Sequence, residues 1–292
     1  MQKITVRIQT LPGFANNDIP VHILRLDELH PVVSGNKWFK LQHYLSDAQQ
    51  QGAQTIASFG GAYSNHIVAT AFAAREKGLN SVGFIRGEAS ASQPALDEAA
   101  SYGMQLCFVN RDAYRNKAAI MEQYRQPGWY WVPEGGYGIP GAEGAASILS
   151  CANTSAYTHI LCAAGTGTMT AGLVKAARPL QQVVSITVLK HPSLENDIRA
   201  LLTDDEQQKP LTVLHDHHCG GYAKHPPHLL QFMRELWELY RLPTDIVYTS
   251  KLLYAAGTLV QQDYFPKGSS LLLVHSGGLQ GNRSLPANSL PF

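Results

Sequence analysis

The segment TIASFGGAYSNHIVATAFAAREKGLNSVGFIR, residues 55–86, decides the fold class. It opens with an apolar run of strand length over 55–58, crosses two glycines, and takes up helical periodicity over 65–77. Gly78 stands where a helix C-cap belongs, and 81–86 reads as a second buried strand. Two strands separated by one helix form a parallel pair with a crossover connection.

The same alternation extends in both directions. A strand over 21–26 precedes a helix that begins near Trp38 and is closed by Gly52. Downstream come a helix over 93–101, a strand over 105–109, a helix over 113–124 and a strand over 129–132. Further strands fall at 159–163, 183–189 and 270–275. The expectation is an α/β protein with mainly parallel sheets flanked by helices. The glycine-rich turn Pro133-Glu134-Gly135-Gly136-Tyr137-Gly138-Ile139-Pro140-Gly141 is the candidate domain junction, with a long loop inside a single sheet as the alternative. No internal repeat or low-complexity tract interrupts the pattern.

Composition narrows the class. Of the 292 residues 45% are hydrophobic and 15% charged. A charged share below the roughly 25% of an average domain indicates burial rather than disorder. A net charge of +1 leaves no electrostatic footprint for nucleic acid or an anionic membrane. No apolar run approaches the roughly 20 residues of a membrane span, and MQKITVRIQT lacks the apolar core of a secretory signal. The four cysteines, Cys107, Cys151, Cys162 and Cys219, form no C-x-x-C pair, so free thiols in a reducing cytoplasm are expected.

Four segments can carry chemistry. In Ser34-Gly35-Asn36-Lys37 a lysine follows a glycine turn at the mouth of a helix, where desolvation would make its amine nucleophilic; an ordinary surface lysine is the plain alternative. In Gly60-Gly61-Ala62-Tyr63-Ser64-Asn65-His66 the polar residues open a helix whose free N–H groups suit a carboxylate, although N-capping alone explains one of them. Gly165-Thr166-Gly167-Thr168 follows a strand and forms a donor nest suited to phosphate, but it matches neither a Walker A loop nor G-x-G-x-x-G. His275-Ser276-Gly277-Gly278 puts Ser276 at the carboxyl end of a strand, where open α/β sheets bind ligands. His215-Asp216-His217-His218-Cys219 resembles a metal cluster, but no second cluster completes it and no metal is expected. Cys219 reads better as a packed thiol than as a nucleophile.

In this order the segments resemble one family. Ser-Gly-Asn-Lys, then Gly-Gly-x-x-Ser-Asn-His, Pro-Glu-Gly-Gly, Gly-Thr-Gly-Thr and a terminal Ser-Gly-Gly are similar to the pyridoxal-phosphate-dependent group that contains 1-aminocyclopropane-1-carboxylate deaminase and D-cysteine desulfhydrase. The resemblance spans about Leu11 to Gly278 and implies the tryptophan synthase β-like fold (fold type II), with two domains each built on a mainly parallel sheet. The implied large domain takes residues 1–39 and 143–292, and the small domain 40–142. Pyridoxal 5'-phosphate is the implied cofactor, held by Lys37, which would also act as the base at the substrate Cα. Asn65 would bond the cofactor's ring hydroxyl, and Gly165, Thr166, Gly167 and Thr168 would hold its phosphate. Ser64, Asn65 and His66 would receive the substrate carboxylate, Tyr222 and Tyr248 would line the substrate pocket, and Thr249 and Ser276 complete the cofactor set.

The deaminase members have Glu where this chain has Thr249 and Leu where it has Ser276, so the resemblance leans toward the desulfhydrases. A hydroxyl can donate to a neutral ring nitrogen but cannot stabilise a protonated one as a carboxylate would. The ring is then a weaker electron sink, which suits elimination of a good leaving group. The expected reaction is α,β-elimination from D-cysteine or a similar small amino acid by a cytoplasmic homodimer. Opening of the cyclopropane amino acid, sulfonate elimination from cysteate and racemisation are the enzymatic alternatives. A pyridoxal-phosphate-binding protein without turnover and a nucleotide-binding module are the others.

Overall fold

The computed structural model describes residues 4–14, 19–89 and 93–292. Two short strands, β1 (Ile8–Thr10) and β2 (Val21–Arg25), lead into helix α1 (Asn36–Gln50). The next elements are β3 (Thr55–Gly61), α2 (Asn65–Glu76), β4 (Asn80–Arg86), α3 (Pro94–Ser101), β5 (Met104–Val109), α4 (Lys117–Gln123) and β6 (Trp129–Val132). The second half runs α5 (Ile139–Ala146), β7 (His159–Ala164), α6 (Thr168–Ala176), β8 (Gln182–Thr187), α7 (Leu194–Arg199), α8 (Asp204–Gln207), β9 (Leu211–Leu214), α9 (Pro227–Tyr240), α10 (Thr249–Gln261) and β10 (Leu271–His275).

These strands form two sheets. The larger has the order β1-β2-β10-β7-β8-β9 and the smaller β5-β4-β3-β6. Every pairing is parallel except that of the edge strand β1 with β2. Burial explains the near-continuous apolar runs. Along β7, Ile160 and Cys162 enter the core on the α5–α6 side, while Leu161 and Ala163 enter the core on the α9–α10 side. A strand covered on both faces cannot alternate apolar with polar residues. No helix among the described residues is long and apolar enough to cross a membrane.

Three local expectations shift. Gly60 and Gly61 belong to strand β3, paired with Ile85 and Arg86, rather than to the turn after it. Gly60 is small because α2 starts against it: a Cβ there would stand 2.5 Å from Ile67 Cγ1 and 2.7 Å from Ser64 Oγ, whereas Gly61 faces open space at the cavity. The helix expected over 113–124 is broken at Asn116 (φ −103°, ψ 76°), whose Oδ1 accepts the Ala119 N–H and starts α4 afresh. The turn over 133–141 is shorter than expected, because Ile139 opens α5 with Pro140 in its first turn.

Residues after the carboxyl ends of both sheets converge on one cavity: Ala62 after β3, Glu134 after β6, Gly165 after β7 and Ser276 after β10. Helix α1 is held there by tight packing on α5. A Cβ on Gly144 would stand 2.1 Å from the Phe39 carbonyl oxygen. Gly144→Ala therefore gains about 1 kcal/mol of helix propensity but loses about 1–3 kcal/mol or more to overpacking. A lowered denaturant midpoint is expected; an unchanged or raised midpoint would contradict this account of the α1–α5 contact.

Candidate active site

The site is built on a contact between two glycine turns. Gly35 (φ +66°) lies so close to the 276–277 backbone that a Cβ on it would stand 1.8 Å from Ser276 O. The Asn36 N–H donates to that same carbonyl at 3.1 Å. Helix α1 starts at this point, two residues earlier than the sequence suggests, which places Lys37 in its first turn beside the β10 terminus. Lys37 Nζ donates to Asn36 Oδ1 at 2.8 Å. Burial, opposed in part by the charge of Asp245, pulls its amine down to about 8.

One helical turn on, Lys40 is only 4% exposed and donates to Gly135 O at 3.3 Å. Burial holds its amine well below the ordinary lysine range, and the charge of Lys37 lowers it further. Lys40 is a site residue to which the sequence analysis assigned no role. Its spacing from Lys37 is the signal, since residues i and i+3 share a helix face.

The second wall is the start of α2. Ser64 is the N-cap, its Oγ accepting the Ile67 N–H at 3.3 Å, as the simple capping interpretation requires. Asn65 Nδ2 donates to Gly278 O at 3.1 Å, tying this wall to the β10 turn, and its Oδ1 is buried without a partner among the described residues. His66 lines the cavity, but its imidazole is committed. Ser58 Oγ donates to Val132 O at 2.8 Å and so accepts from His66 Nε2 at 2.8 Å, which leaves Nδ1 bare and unpartnered. Burial, with Lys37 and Lys40 nearby, pulls His66 down to about 3, so it stays neutral and brings no charge toward a carboxylate. Donation to an anion here falls to Ser64 and to the first-turn N–H groups of α2.

The third wall is the turn from β7 into α6. Gly165, Thr166 and Gly167 line the cavity, with Gly167 left-handed (φ 77°) as the N-cap. The first intrahelical bond runs from Ala171 N–H to Gly167 O at 2.9 Å, so the amides of 168–170 are unspent within the helix. Thr168 does not line the cavity with its side chain, which is fully buried and meets Thr166 Oγ1 at 3.0 Å. Its contribution is the amide.

Tyr248 closes the wall over Gly165, where an added Cβ would stand 3.2 Å from its ring. Burial pushes its phenol well above the ordinary range. Tyr222 is half-exposed at the mouth. Ser276 lines the cavity, and its hydroxyl makes no hydrogen bond among the described residues. Thr249 is not brought to the cavity. Its Oγ1 donates to Asp245 Oδ1 at 2.7 Å and accepts from the Asp245 N–H at 2.7 Å, which spends the hydroxyl. Asp245, missed by sequence reasoning, is fully buried and also accepts the N–H groups of Val247, Tyr248 and Thr249 at 2.8, 2.9 and 2.8 Å. The signal that could have found it is an aspartate four residues before the start of a helix.

The comparisons place this geometry in a family. The profile described as "Pyridoxal-phosphate dependent enzyme" matches residues 6–277. A Pyrococcus horikoshii protein provisionally named 1-aminocyclopropane-1-carboxylate deaminase is 27% identical over 94% of this chain and 89% of its own length. A D-cysteine desulfhydrase of Yersinia pestis is 24% identical over 87% of this chain and 86% of its own. Among solved structures, one described as an ACC deaminase homologue superposes with a TM-score of 0.79 at 23% identity, covering 95% of this chain and 90% of that one. The chain belongs to the pyridoxal-phosphate-dependent enzymes, with the fold type II architecture and pyridoxal phosphate as cofactor.

The residues fit that cofactor. The cavity holds about 720 Å³ and joins a lysine of lowered basicity, a turn with unspent helix amides and the orphaned Asn65 Oδ1. Attachment of an aldehyde needs the neutral amine of Lys37. The rate at which the apoprotein takes up pyridoxal phosphate should therefore rise about tenfold per pH unit below the Lys37 pKa and level off near pH 8. Absorbance kinetics check this, and a rate still climbing tenfold per unit above about pH 9 would indicate an unperturbed lysine.

Proposed function

We propose that this member of the pyridoxal-phosphate-dependent enzymes is a lyase that eliminates the thiol from D-cysteine or a close β-thiol analogue. The products are pyruvate, ammonia and sulfide. The observation that carries this is the Ser276 hydroxyl, a neutral group at the end of β10 with no hydrogen-bond partner among the described residues.

When bound, pyridoxal phosphate supplies a ring that draws off the electron pair left at the substrate Cα. Ser276 can donate to that ring's nitrogen but brings no charge to hold a proton on it, so withdrawal is weak. The substrate must then carry a β-substituent that leaves with its own electron pair, as thiolate does. Lys37, with its amine near 8, would hold the cofactor and, once released by the substrate amine, take the Cα proton. Ser64 and the first-turn amides of α2 would receive the carboxylate. The amides of α6 after Gly165, Thr166 and Gly167 would hold the phosphate, with the amine of the buried Lys40 as a further donor. Tyr248, protonated throughout the working range, would donate to substrate from above Gly165. In balance, the Cα–H and Cβ–S bonds break and one water is consumed as the enamine product hydrolyses.

Opening of the cyclopropane amino acid is the second reading, favoured by the Pyrococcus relative. Of the two sequence differences that weigh against it, Thr249 loses its force because its hydroxyl is spent on Asp245, and Ser276 remains. The same proposal carries a cytoplasmic homodimer with a small domain over residues 40–142.

Purified protein given D-cysteine should release pyruvate and sulfide in equal amounts. Lys37→Ala should lose the yellow colour of the loaded enzyme and at least about a hundredfold of the turnover. A four-carbon 2-oxo acid formed from the cyclopropane substrate, with D-cysteine untouched, would replace this assignment with the second one.

A further inference from the structure

The loop over residues 215–226, between β9 and α9, carries Tyr222 in a strained stretch of backbone. Cys219 (φ 51°), Gly220 (φ 93°), Gly221 (φ 120°) and Ala223 (φ 54°) all have positive φ. Two of these four residues bear a Cβ, for which the left-handed region is unfavourable. Bonds inside the loop do not anchor it to the rest of the protein: Gly220 N–H reaches His218 Nδ1 at 3.1 Å, Gly221 N–H reaches His218 O at 3.1 Å, and Cys219 Sγ lies 3.7 Å from His217 O. Strain of this kind persists only where surrounding structure overrides it.

The overriding contact comes from Lys251 on α10. Its side chain is 0% exposed, and Nζ donates to Gly221 O at 2.6 Å and to Val188 O at 3.3 Å. Lysine is almost never fully buried without such partners. Lys251 does not line the cavity, yet each of its ties ends beside a residue that does: Tyr222 follows Gly221, Leu189 follows Val188, and Tyr248 stands three positions before Lys251 on its own helix. The charged or titratable groups that act on it are Cys219 and Asp245.

We propose that Lys251 is a positioning residue: by clamping Gly221 O it holds the strained 219–223 loop so that Tyr222 faces the cavity. The part played by Tyr222 rests on the lyase proposal; the clamp itself does not. Cys219, half-buried within the loop, is a built-in reporter. The experiment compares Lys251→Met with the parent, both carrying Cys107→Ser to remove the other half-buried thiol, and follows labelling by Ellman's reagent. Cys219 should react about tenfold faster in Lys251→Met, because opening of the loop governs its access. Lys251→Gln, which keeps one amide donor, should fall between the two and serves in its place if Lys251→Met does not fold.

Acting through Tyr222 has its own signature. The loss in kcat/KM caused by Tyr222→Phe should shrink to under about twofold once Lys251 is replaced. Labelling within about twofold of the parent in a folded variant would overturn the clamp. Faster labelling with fully additive kinetics would confine Lys251 to holding the loop and overturn its action through Tyr222. If neither protein turns over an amino acid, the labelling comparison still decides the clamp, and only the lyase proposal falls.

Discussion

The site depends on the close approach of two backbones, at Ser34-Gly35-Asn36 and at Ser276-Gly277. No side chain fits between them, since a Cβ on Gly35 would overlap Ser276 O and one on Gly277 would stand 2.9 Å from Gly35 Cα. This contact starts α1 against the end of β10 and brings Lys37 to Ser276, although 239 positions separate the two residues in the chain. Asn65 adds the third member by donating to Gly278 O, so the small sheet's first crossover helix is tied to the same turn. Three distant segments thus meet, two of them backbone against backbone and the third through the short Asn65 side chain on the Gly278 carbonyl.

Electrostatics follow from that assembly. Lys37 and Lys40 lie one helical turn apart beside a histidine kept neutral, and burial disfavours the charge on both lysines. A pocket with two lysines and unspent amides at α2 and α6, in which Glu134, paired with Lys117 at 3.0 Å, is the lining carboxylate among the described residues, is organised for anions. Asp245 itself is saturated by Thr249 and the backbone of α10, so its charge acts on Lys37 at a distance while its oxygens hold the helix that carries Tyr248.

Where sequence and structure part, the cause is a contact that periodicity and residue type do not display. Gly60 and Gly61 resemble turn residues by type, yet both are strand residues, and Gly60 is kept small by the side chains of Ile67 in α2 and its N-cap Ser64. His66 resembles a carboxylate ligand until Ser58 and Val132 are found beneath it. Thr249 belongs to the motif, but Asp245 takes both its hydrogen bonds. Lys40 and Lys251 resemble ordinary helix lysines, and only burial distinguishes them.

By itself the sequence determined the α/β class, most strand and helix positions, and the residues Lys37, Ser64, Asn65, Gly165 and Ser276 that gather at one cavity. Periodicity, caps and glycine turns are local properties, readable from neighbours a few positions away. Tertiary structure alone decided which polar groups stay free: the open hydroxyl of Ser276, the spent one of Thr249, the neutral His66, and the clamping Lys251 with its strained loop. Hydrogen bonding and desolvation are satisfied by whatever packs alongside, and in this chain a partner can lie far off in sequence, as Gly278 does from Asn65 at 213 positions.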